Sequence, residues 1–186
     1  TGKIAKQANG SVVVSYGENT LLVTATCSKK ASENKSFFPL SVDYKEKFYA
    51  SGRIPGGFFK REARPSEHEI IASRLTDRPI RPLFPSDFFN ETQVLINVLS
   101  YDGTINPDIL GTIGASAALS ISDIPWDGPV ASVRVGRVEG DFVINPDSET
   151  LEKSDMEVIV SGTSDSILMV EGSADFISED DFVSCV

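Results

Sequence analysis

Gly52-Arg53-Ile54-Pro55-Gly56-Gly57-Phe58-Phe59-Lys60-Arg61-Glu62-Ala63-Arg64-Pro65-Ser66-Glu67 is the hinge of this 186-residue sequence. Before it lie strand patterns; directly after it a helix begins. Upstream, the β-branched and apolar runs Ser11–Tyr16 and Thr20–Ser28 flank Gly17-Glu18-Asn19 as a hairpin, and Phe37–Tyr44 reads as a further strand. Downstream, Ser66-Glu67-His68-Glu69 has the Ser-x-x-Glu spacing of a capping box in front of Ile70-Ile71. A helix is predicted from Ser66, weakening by Pro79, where proline removes a donor and crowds the preceding turn.

The same pattern of alternation continues. Glu91–Ser100 reads as a strand, and Asn106-Pro107-Asp108 supplies an N-cap, a helix-compatible proline and an acidic first turn for a helix to about Ser120. Gly111, Gly114, Ala115, Ala117 and Ala118 cost that helix propensity but let it lie close on a sheet. Val130–Val138, a Gly140-Asp141 turn and Phe142–Asn145 form another hairpin, followed by strands at Glu157–Ser161 and Ile167–Glu171. Hairpins interleaved with few helices predict an α+β fold of layered sheets and helices rather than a doubly wound parallel sheet.

Length and 40% hydrophobic content suit one domain, residues 1–186, and no apolar run approaches the ~20 residues of a membrane span. Thr1-Gly2-Lys3-Ile4 carries no initiator Met or signal layout, and Ser178-Glu179-Asp180-Asp181-Phe182 opens a helix shortly before Val186. The expectation is a fragment of a longer chain whose last residues begin a following helical segment. Cys27 and Cys185 have no metal-binding or redox spacing, which makes the cytoplasm the default compartment.

The net charge of −10 is lopsided. Residues 1–81 carry 14 basic and 8 acidic side chains, whereas residues 82–186 carry 3 and 19. The basic half contains the hinge, which sets Phe58 and Phe59 among Arg53, Lys60, Arg61 and Arg64. Cations neutralise phosphates, flat rings stack on bases of any sequence, and glycines permit close backbone approach, a combination suited to single-stranded RNA. A loop whose rings turn into the core and whose charges are solvated has the same composition. Arg61 and Arg64 also lie just ahead of a helix N-terminus, which favours anions. Arg74, Arg78 and Arg81, spaced by four and three, could extend a phosphate track or instead pair with acidic residues and cap a helix end.

Other chemistry is thinly supported. No P-loop or strand-anchored Gly-x-Gly-x-x-Gly occurs. His68, the only histidine, reads as a solvated residue of the helix start, and Trp126 as a cover for a loop or subunit contact. Asp175, Glu179, Asp180 and Asp181 could gather a hard cation, but helix-start acidity accounts for the last three. Asp155 and Glu157, two apart on an expected strand, share a face as a paired acid–base or Mg²⁺ site would require, or are simply hydrated.

Arg64-Pro65-Ser66-Glu67, Asp77-Arg78-Pro79-Ile80-Arg81-Pro82-Leu83-Phe84, Asn106-Pro107-Asp108 and Gly114-Ala115-Ser116-Ala117-Ala118 together resemble bacterial-type polynucleotide phosphorylase over nearly the whole chain. The resemblance is to the first of that family's two ribonuclease PH-like domains, whose β-α-β fold is also described as ribosomal-protein-S5-domain-2-like. It implies a phosphate-dependent 3′-to-5′ exoribonuclease that releases nucleoside diphosphates in RNA degradation, a homotrimeric ring around a channel, KH and S1 domains further along, and membership of an RNA-degradation complex. Phe58-Phe59-Lys60-Arg61 resembles the pore-constriction loop, often Phe-Phe-Arg-Arg; lysine keeps the charge and loses the planar fork. In the family's second, catalytic copy the segment matching Asp155–Thr163 carries aspartates and a lysine for Mg²⁺ and phosphate transfer. Here Leu151 and Ile159 stand where an aspartate and the lysine are expected.

The resemblance therefore implies that this domain holds no catalytic residue and no metal, that Mg²⁺ and inorganic phosphate act in the second core domain, and that Phe58, Phe59, Lys60, Arg61 and Arg64 thread RNA. The rival expectation is a non-catalytic RNA-binding subunit of an exosome-like ring.

Overall fold

The computed structural model describes residues 1–31, 36–58 and 60–186. Its first sheet is built from β1 (Gly10–Tyr16), β2 (Asn19–Ala31), β3 (Leu40–Lys45) and β4 (Asn90–Ser100), in the order β1-β2-β4-β3. β1 and β2 form the expected hairpin around Gly17, whose φ of 58° lies in the left-handed region that glycine enters without steric cost. β2 pairs with β4 antiparallel, while β3 pairs with β4 in parallel. A parallel pair cannot be joined by a tight turn. The crossover between β3 and β4 contains the hinge loop and α1 (Glu67–Ile80), which makes the β-α-β unit and fixes the loop at the C-terminal end of β3.

β4 has the alternation that its sequence implies: Thr92, Val94, Ile96 and Val98 are buried, while Glu91 and Gln93 face water. The buried row, with Leu21 and Val23 of β2, receives α2 (Asp108–Ser120). A Cβ on Gly114 would stand 2.6 Å from Val23 Cγ2, so only glycine permits this helix-to-sheet approach. The helix begins one residue later than its Asn-Pro-Asp signature predicts: Pro107 is the cap residue, and Asn106 Oδ1 accepts from Asp108 N at 3.2 Å. β3 likewise starts after Pro39, because Phe38 packs its ring on Phe84 and Phe88 at centroid distances of 4.6 and 5.6 Å.

The second sheet, ordered β6-β5-β7-β8, is antiparallel throughout and consists of β5 (Ala131–Val138), β6 (Asp141–Ile144), β7 (Met156–Gly162) and β8 (Ile167–Ala174). Glu139 and Gly140, both with positive φ, make the β5–β6 turn. A short helix, α3 (Ser148–Leu151), capped by Asp147, lies between β6 and β7; the sequence reading had no element there. α1 and α2 fill the layer between the sheets, with Leu75, Ile109, Ile159 and Met169 packed together across it. α4 (Glu179–Cys185) covers the outer face of the second sheet, where Ile177 and Phe182 pack near Val158. Val158 and Ile159 are therefore both buried, on opposite faces of β7, which suits their unbroken apolar run.

α1 runs through Pro79 to Ile80 and then tightens into a 3₁₀ turn, Arg81–Leu83. The expected weakening arrives two residues late, because the missing proline donor falls in the last helical turn, where the chain is about to leave the helix.

Candidate nucleic-acid interface

Glu69 positions the loop. It is 3% exposed, and its carboxylate serves three donors: Glu46 N and Lys47 Nζ, each at 2.9 Å on Oε1, and Ser66 N at 2.7 Å on Oε2. Ser66 Oγ accepts in return from Glu69 N at 3.2 Å, completing the capping box that the sequence announced. The start of α1 is thereby tied to the exit of β3. Burial alone would raise the Glu69 carboxyl, but the hydrogen bonds from Ser66, Lys47 and Glu46 outweigh it and hold the group below the ordinary range. Glu62 Oε1 accepts from Phe48 N at 2.9 Å, fastening the loop to the 3₁₀ turn Phe48–Ser51.

These ties leave an open groove of about 550 Å³ between the β3 exit, the loop, the start of α1 and the segment after β4. Arg53, Arg61 and Arg64 line it from the loop, Glu46 and Lys47 from the segment just after β3, and His68 and Glu69 from α1. Tyr101 and Asp102 close the far side. Arg53, Lys60, Arg61 and Arg64 are exposed, and among the described residues none has an ion-pair partner. Phe58 is 94% exposed at the loop tip, so the structure places this ring outside the core. Phe59, the second expected stacking residue, lies outside the described residues.

Arg74, Arg78 and Arg81 do not share one environment. Arg81 spends its guanidinium internally: Nε and Nη2 donate to Asp77 at 3.0 and 2.6 Å, while Nη1 and Nη2 reach the Phe38 and Leu40 carbonyls. Arg78 pairs with Glu171 of β8. For these two, the ion-pair and helix-end reading describes the geometry. Arg74 is exposed and lines a depression beside the loop together with Glu62, Ala63 and Pro65.

His68 requires a correction. It is half-buried rather than solvated, with Nε2 3.3 Å from Glu46 Oε2 and its ring edge-on to Tyr44 at 5.9 Å. Its side chain is caught because the β3 exit curls over the first turn of α1. Trp126 packs on the core and donates Nε1–H to the Ile80 carbonyl at 3.1 Å. Lys47 and Tyr101 were not singled out from the sequence, and Arg53 entered only as one of the loop's cations. Arg53 alone carried a local signal, being a cation inside the quoted loop; the other two reach the groove only through tertiary folding.

Asp155 and Glu157 are not a paired site. Asp155 accepts from Arg137 at 3.0 and 2.7 Å, and Glu157 Oε1 stands 3.0 Å from Arg134 Nε. Arg137 also reaches Asp181 at 2.8 Å, tying α4 to the sheet. Arg134, 6% exposed, meets the equally buried Asp108 at 2.7 Å and links α2 to the second sheet. These carboxylates are committed to arginines, and Ile159 is sealed in the apolar interlayer. Among the described residues no three or more His, Cys, Asp and Glu side chains gather where a metal ion could be held.

The model of the 3′ exoribonuclease family, domain 1, matches residues 1–125, and that of domain 2 matches residues 128–186. The chain is 57% identical, over all of its 186 residues, to the polyribonucleotide nucleotidyltransferases of Geotalea daltonii and Thermomicrobium roseum, and covers 27% and 24% of their lengths. It thus spans about a quarter of the curated relatives it matches. Among solved structures it is similar to a chain of the Archaeoglobus fulgidus exosome with RNA bound to the active site, with a TM-score of 0.73, 18% identity and coverage of 98% of this chain and 79% of that one. A chain of an archaeal exosome core matches with a TM-score of 0.70 at 16% identity, covering 98% and 77%. Those likenesses establish the ribonuclease PH-like fold, and with the matched family models the chain belongs to the 3′ exoribonuclease family.

Proposed function

We propose that this chain is the first core domain of a longer polynucleotide phosphorylase, where it guides single-stranded RNA toward a catalytic second core domain. The observation that carries this reading is the groove at the start of a 14-residue helix, lined by Arg53, Arg61 and Arg64 without acidic partners among the described residues, with Phe58 exposed on the same loop. Lys60, Arg61 and Arg64 would neutralise phosphates, Phe58 and Phe59 would stack on bases or narrow the passage, and Arg53 and Arg74 would widen the basic surface. Arg78 and Arg81 serve the fold instead.

The whole protein would degrade RNA from its 3′ end by phosphorolysis, releasing nucleoside diphosphates, as a cytoplasmic homotrimer within an RNA-degradation complex. No described helix is long and apolar enough to cross a membrane. The 57% identity to polyribonucleotide nucleotidyltransferases supports this reading over a non-catalytic subunit of an exosome-like ring. Mg²⁺ and inorganic phosphate would bind in the second core domain, since the carboxylates at the matching positions here are held by arginines.

Incubated with poly(A), Mg²⁺ and phosphate, the 186-residue chain is expected to release no ADP, while the longer protein carrying it does. Turnover by the chain that survives repurification contradicts the division of labour. A longer protein that binds RNA and never releases ADP supports the exosome-type alternative.

A further inference from the structure

We infer that His68 is an additional phosphate-binding group of the groove, acting as an imidazolium held by Glu46, so that RNA affinity follows its protonation. The inference rests on the groove being the RNA site. His68 occupies the second position of α1, lines the groove together with Arg61 and Arg64, and turns Nε2 to Glu46 at 3.3 Å. The pairing engages one ring nitrogen and leaves the other over. An imidazolium donates from both nitrogens, and with Nε2 on Glu46, Nδ1–H remains to donate to a phosphate oxygen. Among the described residues Nδ1 has no hydrogen-bond partner.

The charges around the ring decide the sign. From the β3 exit come Glu46 and Lys47, with the Tyr44 hydroxyl donating to Glu46 Oε2 at 3.0 Å. Glu69 lies on α1 itself, already satisfied by Lys47 and backbone donors. Arg61, Glu62 and Arg64 face it from the loop, and Tyr101 and Asp102 from the segment after β4. Asp108 and Arg134 act from further away, in opposite directions. With the imidazole neutral, Glu46 adds an uncompensated negative charge to a site meant for phosphates. With it protonated, that charge is cancelled and a donor is gained. The hydrogen bond to Glu46 raises the imidazole's proton affinity above its ordinary value, against the opposing effect of burial.

Because His68 is the only histidine of the chain, its Cε1–H resonance reports one group. Titrated from about pH 5.5 to about pH 9, with and without a short oligo(A), the imidazole midpoint is expected to rise by about half a pH unit when RNA is bound. By linkage this corresponds to RNA binding about threefold tighter below the transition than above it. His68→Gln should abolish this pH dependence and keep the dependence on salt. Glu46→Gln, which leaves the imidazole in place, should lower the midpoint of the free protein. RNA binding with an unmoved midpoint and equal affinity at both ends of the range overturns the role of His68 alone. Failure of the wild-type chain to bind oligo(A) at low salt overturns the groove reading beneath it.

Discussion

The loop and the second sheet use arginine in opposite ways. In the second sheet, Arg134 and Arg137 each engage two carboxylates, joining α2, β5, β7 and α4. In the loop, Arg53, Lys60, Arg61 and Arg64 stand exposed without an acidic partner among the described residues. Residues 82–186 hold 3 basic side chains against 19 acidic ones, so cations there are readily matched. Residues 1–81 carry a surplus, and the fold places part of it around one groove. A charge that is matched internally holds the structure together; one left over is available to a ligand.

The sharpest way to break this contrast is by stability. Arg134→Ala leaves Asp108 buried without its partner and is expected to cost about 3–5 kcal/mol, whereas Arg61→Ala, on an exposed loop, should stay within about 0.5 kcal/mol of wild type. Urea unfolding of both variants reads the difference; equal losses would erase the distinction between matched and surplus cations.

The frame of the groove lies between those extremes. Ser66→Ala removes an N-cap and is expected to cost about 1 kcal/mol. Hydrogen exchange should show the loss concentrated at the start of α1, and uniform loosening would mean that the cap is not what ties the loop to β3.

A smaller effect is expected from pH. The folded-state pKa of Glu69 is depressed, so its contribution is present above its unfolded value, near 4.5, and is lost as pH falls through the lower folded value. Thermal melting of Glu69→Gln should therefore approach that of wild type as acid is added, while remaining lower at neutral pH. A constant gap at all pH values would show that charge plays no part in the hub.

Much of this architecture was legible because local signals and tertiary structure agree. The Ser66–Glu69 spacing marked the helix start, the alternation in β4 marked its buried face, and the small residues of α2 marked a close packing surface. The parallel pairing of β3 with β4 was not legible from periodicity, which reports faces and not directions. In the site, the loop cations could be found from composition. The partner of Arg78 could not, since Glu171 lies 93 residues away, nor could the Phe38 and Leu40 carbonyls that Arg81 reaches, although its other acceptor, Asp77, stands four residues back on the same helix. His68 was misread for the same reason: its partner Glu46 approaches from another element.

The loop's surplus charge is tested most directly by the salt dependence of oligo(A) binding, measured by fluorescence anisotropy for wild type and for Arg61→Ala/Arg64→Ala. Each phosphate contact removed lowers the slope of log affinity against log salt by about 0.7 for a single strand, so the double variant is expected to lose about 1.4. Circular dichroism should show both proteins equally folded. An unchanged slope in the folded double variant would mean that these cations do not hold phosphates and that the groove is not the RNA path.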